Sequence, residues 1–332
     1  MVSVGLLAGC SGDEARTPWS PEPPVDEEEA ARRMPDGDLL LRARERLAGH
    51  RADLSRVQAG SSAARAGVLS LAGLWQVQQE RLEQLLELGG IDLPELDVQI
   101  VDPPAVAEEA PADGADSTDD GSATTSPAAG SDEASQTATG PDPRTVGERL
   151  RAELPEVLDD LRRSSTLNRA MLVSLTAQHA ESARLLGTPV DWPPLEGPVG
   201  AAAVPVLART RPAVFGLEVA AARSRGEERA TYASVLDAVR STTRALTTLA
   251  GDAAPLPPLG YDLPEPLDDE GERLALARAL VHDIEPAVLS VVSRAGSEVD
   301  QMRSLVRLVA ETQSWAHQLE VDPVPFPGMT LP

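Results

Sequence analysis

The sequence predicts an all-α protein in which helical hairpins form two helical units. Aromatic residues make up only 2% of the 332 residues, so the core must be built from leucine, valine and alanine, which favours packing of helix on helix over a sheet. Apolar residues recur at alternating spacings of three and four along several segments, which is typical of one face of an amphipathic helix. Glycines and prolines interrupt this spacing where helices are expected to end.

Two N-terminal helical hairpins are predicted from this spacing. The first covers residues 38–90 and the second covers residues 144–190. Thr145 and Glu148 have the spacing of a capping box, which predicts that the second hairpin begins there. Pro155 lacks a backbone donor and is expected to kink or restart the helix that contains it. A short connection joins the helices within each hairpin, which favours antiparallel packing.

A second helical unit is predicted over residues 200–322, where four helices form a hairpin, a long crossing and another hairpin. The crossing covers residues 252–268 and is rich in proline. Pro286 is expected to kink the third of these helices near His282. A four-helix bundle with one long crossover is the topology of ferritin-like folds. The sequence therefore predicts a four-helix bundle with one long crossover, followed by a short tail at residues 323–332.

Two segments are predicted to be disordered, namely a tether at residues 11–37 and an acidic linker at residues 91–143. Both have too few large apolar residues to offset the entropy cost of ordering. The formal net charge of the chain is −24, which argues against nucleic acid as a partner because phosphate binding needs a clustered basic face. The same charge argues against direct docking on anionic lipid head groups.

The beginning of the sequence predicts a lipid anchor. Leu7, Ala8 and Gly9 precede Cys10, which is the only cysteine of the chain. This pattern resembles the lipobox of bacterial lipoproteins, in which the cysteine thiol is acylated and the residues before it are removed. Residues 1–10 are therefore interpreted as the remnant of a lipoprotein signal, and a start codon further upstream is expected because the run lacks a basic region. The alternative is an untargeted N-terminus with an idle thiol.

A family resemblance agrees with that interpretation. The crossing contains Tyr261-Asp262-Leu263-Pro264, and the later sequence contains Trp315 and Pro325-Phe326-Pro327-Gly328. Over roughly residues 205–330, these features resemble the ferritin-like domain of uncharacterised actinobacterial lipoproteins. The resemblance implies an all-helical bundle carried by a lipoprotein.

The pattern of metal ligands that a di-iron bundle uses is not found. Such a centre typically takes Glu-x-x-His from each of two helices, and none of the four histidines follows a glutamate at that spacing. Where the resembled family often carries Glu-His, this chain has Thr210-Arg211. His282 and Glu285 form the reversed pattern off the apolar seam, which favours a surface pair. Glu218 is the best remaining inward carboxylate, although a salt bridge on the helix flank is the favoured interpretation.

His50 and His179 each lie on an apolar helix face. A histidine in that position is usually a hydrogen-bonded core residue, so we favour a structural role over metal binding for both. The sequence contains no glycine-rich phosphate loop after a strand and no Gly-x-Ser-x-Gly motif. It therefore predicts no catalytic residue, no metal site and no cofactor.

The function predicted from these observations is that of a lipid-anchored, extracytoplasmic helical protein that binds or scaffolds and has no catalytic centre. Its partner would be the membrane, through lipidated Cys10, and nucleic acid is excluded. One alternative is a ferritin-like metal-dependent oxidase or iron-storage protein with atypical ligands. The other is a solute-binding lipoprotein with a cleft between its helical units.

Overall fold

The computed structural model describes residues 34–58, 60–96, 98, 141–264, 266–294, 296 and 298–330. The predicted signal remnant and lipidation site at Cys10 lie outside the described residues. So do all but the last four residues of the predicted tether and most of the predicted acidic linker. These assignments stay predictions.

The described residues are mostly helical and contain no strand. The helices are α1 Gly37–Ser55, α2 Ser62–Leu88, α3 Pro143–Arg163, α4 Arg169–Leu185, α5 Val204–Arg223, α6 Gly226–Ala250, α7 Glu270–His282, α8 Ile284–Val291 and α9 Val299–Gln318. Single 3-10 turns lie at Gly200–Ala203, Gly251–Ala253 and Val292–Arg294. Among the helices of these residues, none is long and apolar enough to cross a bilayer.

Helix α3 differs from the sequence expectation at two points. Its N-cap is Asp142, whose side chain accepts a hydrogen bond from the backbone amide of Arg144, and not the Thr145–Glu148 pair. Pro143 occupies the first helical position, where its missing amide proton is not needed. The helix also continues through Pro155. Pro155 lies on the exposed side, where water can satisfy the carbonyl group that it leaves unpaired.

The break predicted near His282 is present. Helix α7 ends at His282, and α8 begins at Ile284 after Asp283. Pro286 cannot donate a hydrogen bond to the carbonyl group of His282, so the helical ladder is interrupted at this turn.

Helix α9 connects the N-terminal and C-terminal halves of the chain. Helices α1 and α2 pack together, as do α3 and α4, while α5 packs on α6, α7 and α8. Helix α9 contacts α7 and α8 on one side and α3 and α4 on the other. As a result, one continuous hydrophobic core runs through both halves.

The segment that follows α9 also packs between the two halves. Phe326 is buried within the core. Gln78 donates a hydrogen bond to the carbonyl oxygen of Pro325, and Ser174 donates one to that of Pro327. Gly328 adopts a φ of +75°, and a Cβ atom there would lie 2.8 Å from atoms of Glu285. Only glycine fits this approach without strain.

Candidate functional site

A cavity of about 50 Å³ lies between α1, α3 and α4. One water molecule needs roughly 10–15 Å³ by this measure, so the space accommodates a few water-sized groups. Apolar side chains form most of its wall. The lining residues are Leu39, Ala43, Arg46, His50, Leu150, Glu153, Leu154, Val157, Asp160, Leu161, Leu172, Leu175, Thr176, His179, Ala180 and Val190.

Four side chains, one from each of α1 to α4, lie together beside this cavity, and three of them, His50, Glu153 and His179, line its polar end. The ring of His50 lies 6.1 Å from that of Trp75 and 5.7 Å from that of His179, between centroids. Trp75 and His179 are 5.9 Å apart in an edge-to-face arrangement, which aromatic rings prefer. Glu153 completes the group from α3, so we call these four residues the His50 cluster.

His50 lies against the carboxylate of Glu153. The distance from His50 Nε2 to Glu153 Oε2 is 3.2 Å, while Arg149 Nε donates to Glu153 Oε1 at 2.9 Å. Burial raises the pKa of Glu153, but the His50 ring and the Arg149 guanidinium outweigh burial and lower the pKa to about 2. The carboxylate is therefore ionised at neutral pH.

The hydrogen bonds of Gln78 fix the tautomer of His179. Gln78 Nε2 donates to Gln178 Oε1 at 2.9 Å and to the carbonyl oxygen of Pro325 at 2.6 Å. A backbone carbonyl can only accept, so Gln78 Oε1 must face His179 Nε2, which lies 3.2 Å away. His179 therefore carries its proton on Nε2, and Nδ1 is an acceptor.

His179 is neutral at ordinary pH. Burial, together with the electrostatic effect of the nearby His50 ring, lowers the pKa of His179 to about 3, against an opposing effect of Glu153. The part of the ring that protein atoms leave uncovered lines the cavity. His179 thus presents a neutral ring to any molecule that enters.

Several buried polar atoms of the His50 cluster have no hydrogen-bond partner. They are His50 Nδ1, Trp75 Nε1 and Glu153 Oε2. Buried polar atoms are nearly always paired, because an unpaired one costs about 1–3 kcal/mol. Two of the three residues, His50 and Glu153, line the cavity. A polar molecule in the cavity could supply partners for these two residues.

An ion-pair network closes the other end of the cavity between α1 and α3. Asp160 accepts from Arg42 at 3.1 Å and from Arg46 at 2.8 Å, and Arg163 also approaches it at 2.8 Å. Arg46 additionally binds Glu156. Burial raises the pKa of Asp160, but the arginine partners outweigh burial and lower the pKa.

The metal-ligand candidates in the C-terminal half are not brought together. Glu218 is exposed and forms a salt bridge of 2.7 Å with Arg240 on the helix flank. The idea of an inward carboxylate at Glu218 was therefore wrong, and the salt-bridge interpretation is confirmed. Across the described ranges, no group of three or more histidine, cysteine, aspartate or glutamate residues has the geometry to hold a metal ion.

The predicted surface pair of His282 and Glu285 was also wrong. His282 is exposed, whereas Glu285 is 1% exposed. The helix is interrupted at Asp283, so the face expected from one continuous helix does not apply to Glu285. Gln313 donates a hydrogen bond to Glu285 Oε1, and Oε2 has no partner. Burial raises the pKa of Glu285 to about 7, against the opposing effects of Gln313 and the Gly328 amide.

Sequence reasoning placed His50 and His179 on apolar faces but missed Glu153 and Trp75 as their neighbours. The contact between Glu153 and His50 could not be predicted from the sequence, because His50 is about one hundred positions away in the chain and on another helix. Within α3, the one local indication is that Glu153 lies seven positions before Asp160 and therefore on the same face of the helix.

The cavity and the His50 cluster lie outside the part of the chain that comparison with known proteins reaches. No curated protein and no solved structure matches the chain. Residues 202–331 match the family model described as a domain of unknown function (DUF4439). The match covers α5 to α9 and the segment that follows.

Proposed function

We propose that the chain is a lipid-anchored, extracytoplasmic helical binding protein without a catalytic centre, and that its N-terminal helices take up a small solute. The observation that carries this proposal is the cavity between α1, α3 and α4, which has apolar walls and buried polar atoms without partners at one end. Binding pockets commonly combine a mostly apolar lining with a few placed polar groups.

The position of the cavity supports binding over scaffolding alone. Helix α1 packs mainly on α2, and α3 packs mainly on α4, while α1 and α3 approach each other less closely. Charged pairs such as Arg46–Asp160 and Arg149–Asp53 join α1 to α3. These pairs join the two helices, and the apolar space beside them is left unfilled. A core optimised only for stability would be expected to fill it.

The anchor part of the proposal rests on Cys10 and the small apolar residues before it. It is tested by labelling cells with a palmitate analogue. The wild type should take up the label, and Cys10→Ser should abolish it. Equal labelling of both proteins would refute the prediction that Cys10 carries a lipid.

A ferritin-like bundle over residues 200–322 is also part of the proposal. It is supported by the order of elements, which is the hairpin α5–α6, a crossing over residues 254–269, the broken pair α7 and α8, and then α9. This is the arrangement of four long helical segments with one long connection. In this proposal, the bundle supports the N-terminal helices through α9 and binds no metal.

Solute binding is tested by thermal unfolding with three probes of nearly equal size, namely 1-propanol, propylamine and propionate. A molecule that binds only the native state raises the unfolding temperature by mass action. At least one probe should do so for the wild type. Ala43→Leu places a larger side chain in the cavity wall and should remove the effect, whereas Ala152→Leu, on the exposed side of α3, should retain it. An equal response of Ala43→Leu and the wild type would refute a cavity site.

A further inference from the structure

We propose that the solute is a short-chain primary amine, bound as its ammonium form by Glu153 and His179 with its alkyl chain among the leucines of the cavity. This inference rests on the proposed function and names the chemical class of the ligand.

The first step is the unused acceptor atom of His179. His179 uses its only ring proton on Gln78 Oε1, so Nδ1 can only accept. No hydrogen bond from any described residue reaches that atom. A ligand that meets His179 must therefore donate a hydrogen bond.

The second step is the carboxylate of Glu153. Its Oε1 accepts from Arg149, whereas Oε2 is buried and has no hydrogen-bond partner, with the ring of His50 beside it at 3.2 Å. A buried, ionised oxygen is stabilised by a hydrogen-bond donor, and a charged donor gives a stronger hydrogen bond than a neutral one. A primary ammonium group offers three donors, which is enough for Glu153 and His179 together.

The third step is the shape of the remaining wall. The side chains beyond the polar end include Leu150, Leu154, Leu172 and Leu175. They provide no polar partner, and Arg46 and Asp160 at the far end are already paired with each other, so the rest of the ligand is apolar. The volume of about 50 Å³ holds roughly three to five groups of water size, which corresponds to an alkyl chain of two or three carbons with one nitrogen.

The other two ligand classes of this size fit less well. An ionised carboxylate has no proton to donate to His179 Nδ1, and it would bring a second negative charge close to Glu153. An alcohol has a single donor, so it leaves either Glu153 or His179 without a partner. Both are kept as outcomes of the test.

In the experiment, the leucine and valine methyl groups of the full chain are isotope-labelled and observed by NMR. Propylamine, 1-propanol and propionate are then added in separate titrations at pH 8. An alkylamine is protonated at that pH, as a lysine side chain is. Ligands this small bind weakly, so the dissociation constant of propylamine should be on the order of 1 mM. Propylamine should bind at least about 10-fold more tightly than propionate and more tightly than 1-propanol, with shifts at the cavity leucines.

Two variants with the same change of charge locate the ammonium group. Glu153→Gln keeps the size of the side chain but removes its charge, and should weaken propylamine binding by about 10-fold or more, a loss that corresponds to about 1.4 kcal/mol. Glu148→Gln, which lies on the exposed side of the same helix, should leave the affinity unchanged. Equal affinities in the two variants would overturn the role of Glu153.

The wild-type titrations separate this inference from the proposed function. If 1-propanol or propionate binds in the cavity as tightly as propylamine does, the inference that the ligand is an amine is wrong, whereas the proposal that the cavity binds a small solute is supported. If none of the three probes shifts the cavity leucines, the amine and the proposed solute binding are both wrong.

Discussion

The side-chain amide of Gln78 donates a hydrogen bond to the carbonyl oxygen of Pro325, with 2.6 Å between the two atoms and 247 positions between the two residues. The same amide nitrogen binds Gln178, and the amide oxygen accepts from His179. One buried glutamine therefore joins α2, α4 and the segment that follows α9. The orientation of His179 and the docking of that segment depend on the same side chain.

Replacing Gln78 with methionine should destabilise the protein by about 1–3 kcal/mol. The change keeps the approximate volume but leaves buried polar partners, including the carbonyl group of Pro325, without hydrogen bonds. The free energy of unfolding is measured by urea denaturation. Gln76→Met serves as the control, because Gln76 is exposed on the same helix, and it should change stability by less than about 0.5 kcal/mol. Similar losses in both variants would contradict the central role of Gln78.

Glu285 should make the protein less stable as the pH rises from about 5 to 8. Its pKa is raised from 4.5 to about 7 in the folded protein because it is buried, so the folded state holds a proton that the unfolded state has released. The stability that this proton provides is complete below the unfolded pKa and is lost as the pH rises through the folded pKa. The shift corresponds to about 3 kcal/mol.

Glu285→Gln tests this pH dependence, since glutamine cannot ionise. The variant should unfold in urea with a free energy similar to that of the wild type at pH 5 and a larger one at pH 8. Burial also raises the pKa of Glu181 and Glu311, so the difference between the two proteins isolates Glu285. Glu87→Gln changes an exposed position, so its free energy of unfolding should depend on pH in the same way as that of the wild type. A Glu285→Gln curve parallel to the wild type would show that the buried carboxyl does not titrate in this range.

Asp160 should contribute more to stability than its neighbour Asp159. Asp160 is 6% exposed and accepts from arginines of α1 as well as from α3, whereas Asp159 is partly exposed and pairs only within α3. Asp160→Asn should therefore cost about 1–3 kcal/mol. Asp159→Asn should cost under about 1 kcal/mol. Urea denaturation at pH 7 measures both, and equal costs would mean that the pairs between α1 and α3 contribute little.

The C-terminal half should depend on apolar packing and not on a metal. Ile284 is 1% exposed, so Ile284→Ala should destabilise the protein by about 2–5 kcal/mol and Ile284→Val by about 0.5–1.5 kcal/mol. Treatment of the wild type with a chelator should leave its unfolding temperature unchanged, because a metal bound only to the native state would have raised it. A large chelator effect beside a small effect of Ile284→Ala would favour the metal-dependent alternative.

The sequence predicted the helices well because their signals are local. Apolar spacing and terminal glycines act within a few turns, and the break at Asp283 follows from Pro286, which lacks the donor that would continue the helical ladder. The same local reasoning failed for Glu285, since it assumed that one helix continued across the break. It also failed at the start of α3, where Asp142 and Pro143 provide a cap that competes with Thr145 and Glu148.

The site was only half predictable. The apolar seams indicated that His50 and His179 face inward, but the meeting of these rings depends on how α1 packs near α4. The docking of residues 325–328 was not predictable, because backbone carbonyl groups accept the hydrogen bonds and leave no side-chain pattern. Phe326 was the one apolar signal in that segment.

The most direct test of the account is to locate a bound probe in the full chain by nuclear Overhauser effects at pH 8. With propylamine present, the account predicts contacts from the propyl protons to the methyl groups of Leu172 and Leu175 and to the ring of His179. These contacts should disappear in Ala43→Leu. Contacts confined to the exposed Leu256 and Leu259, with none in the cavity, would contradict the claim that the N-terminal helices bind a small solute.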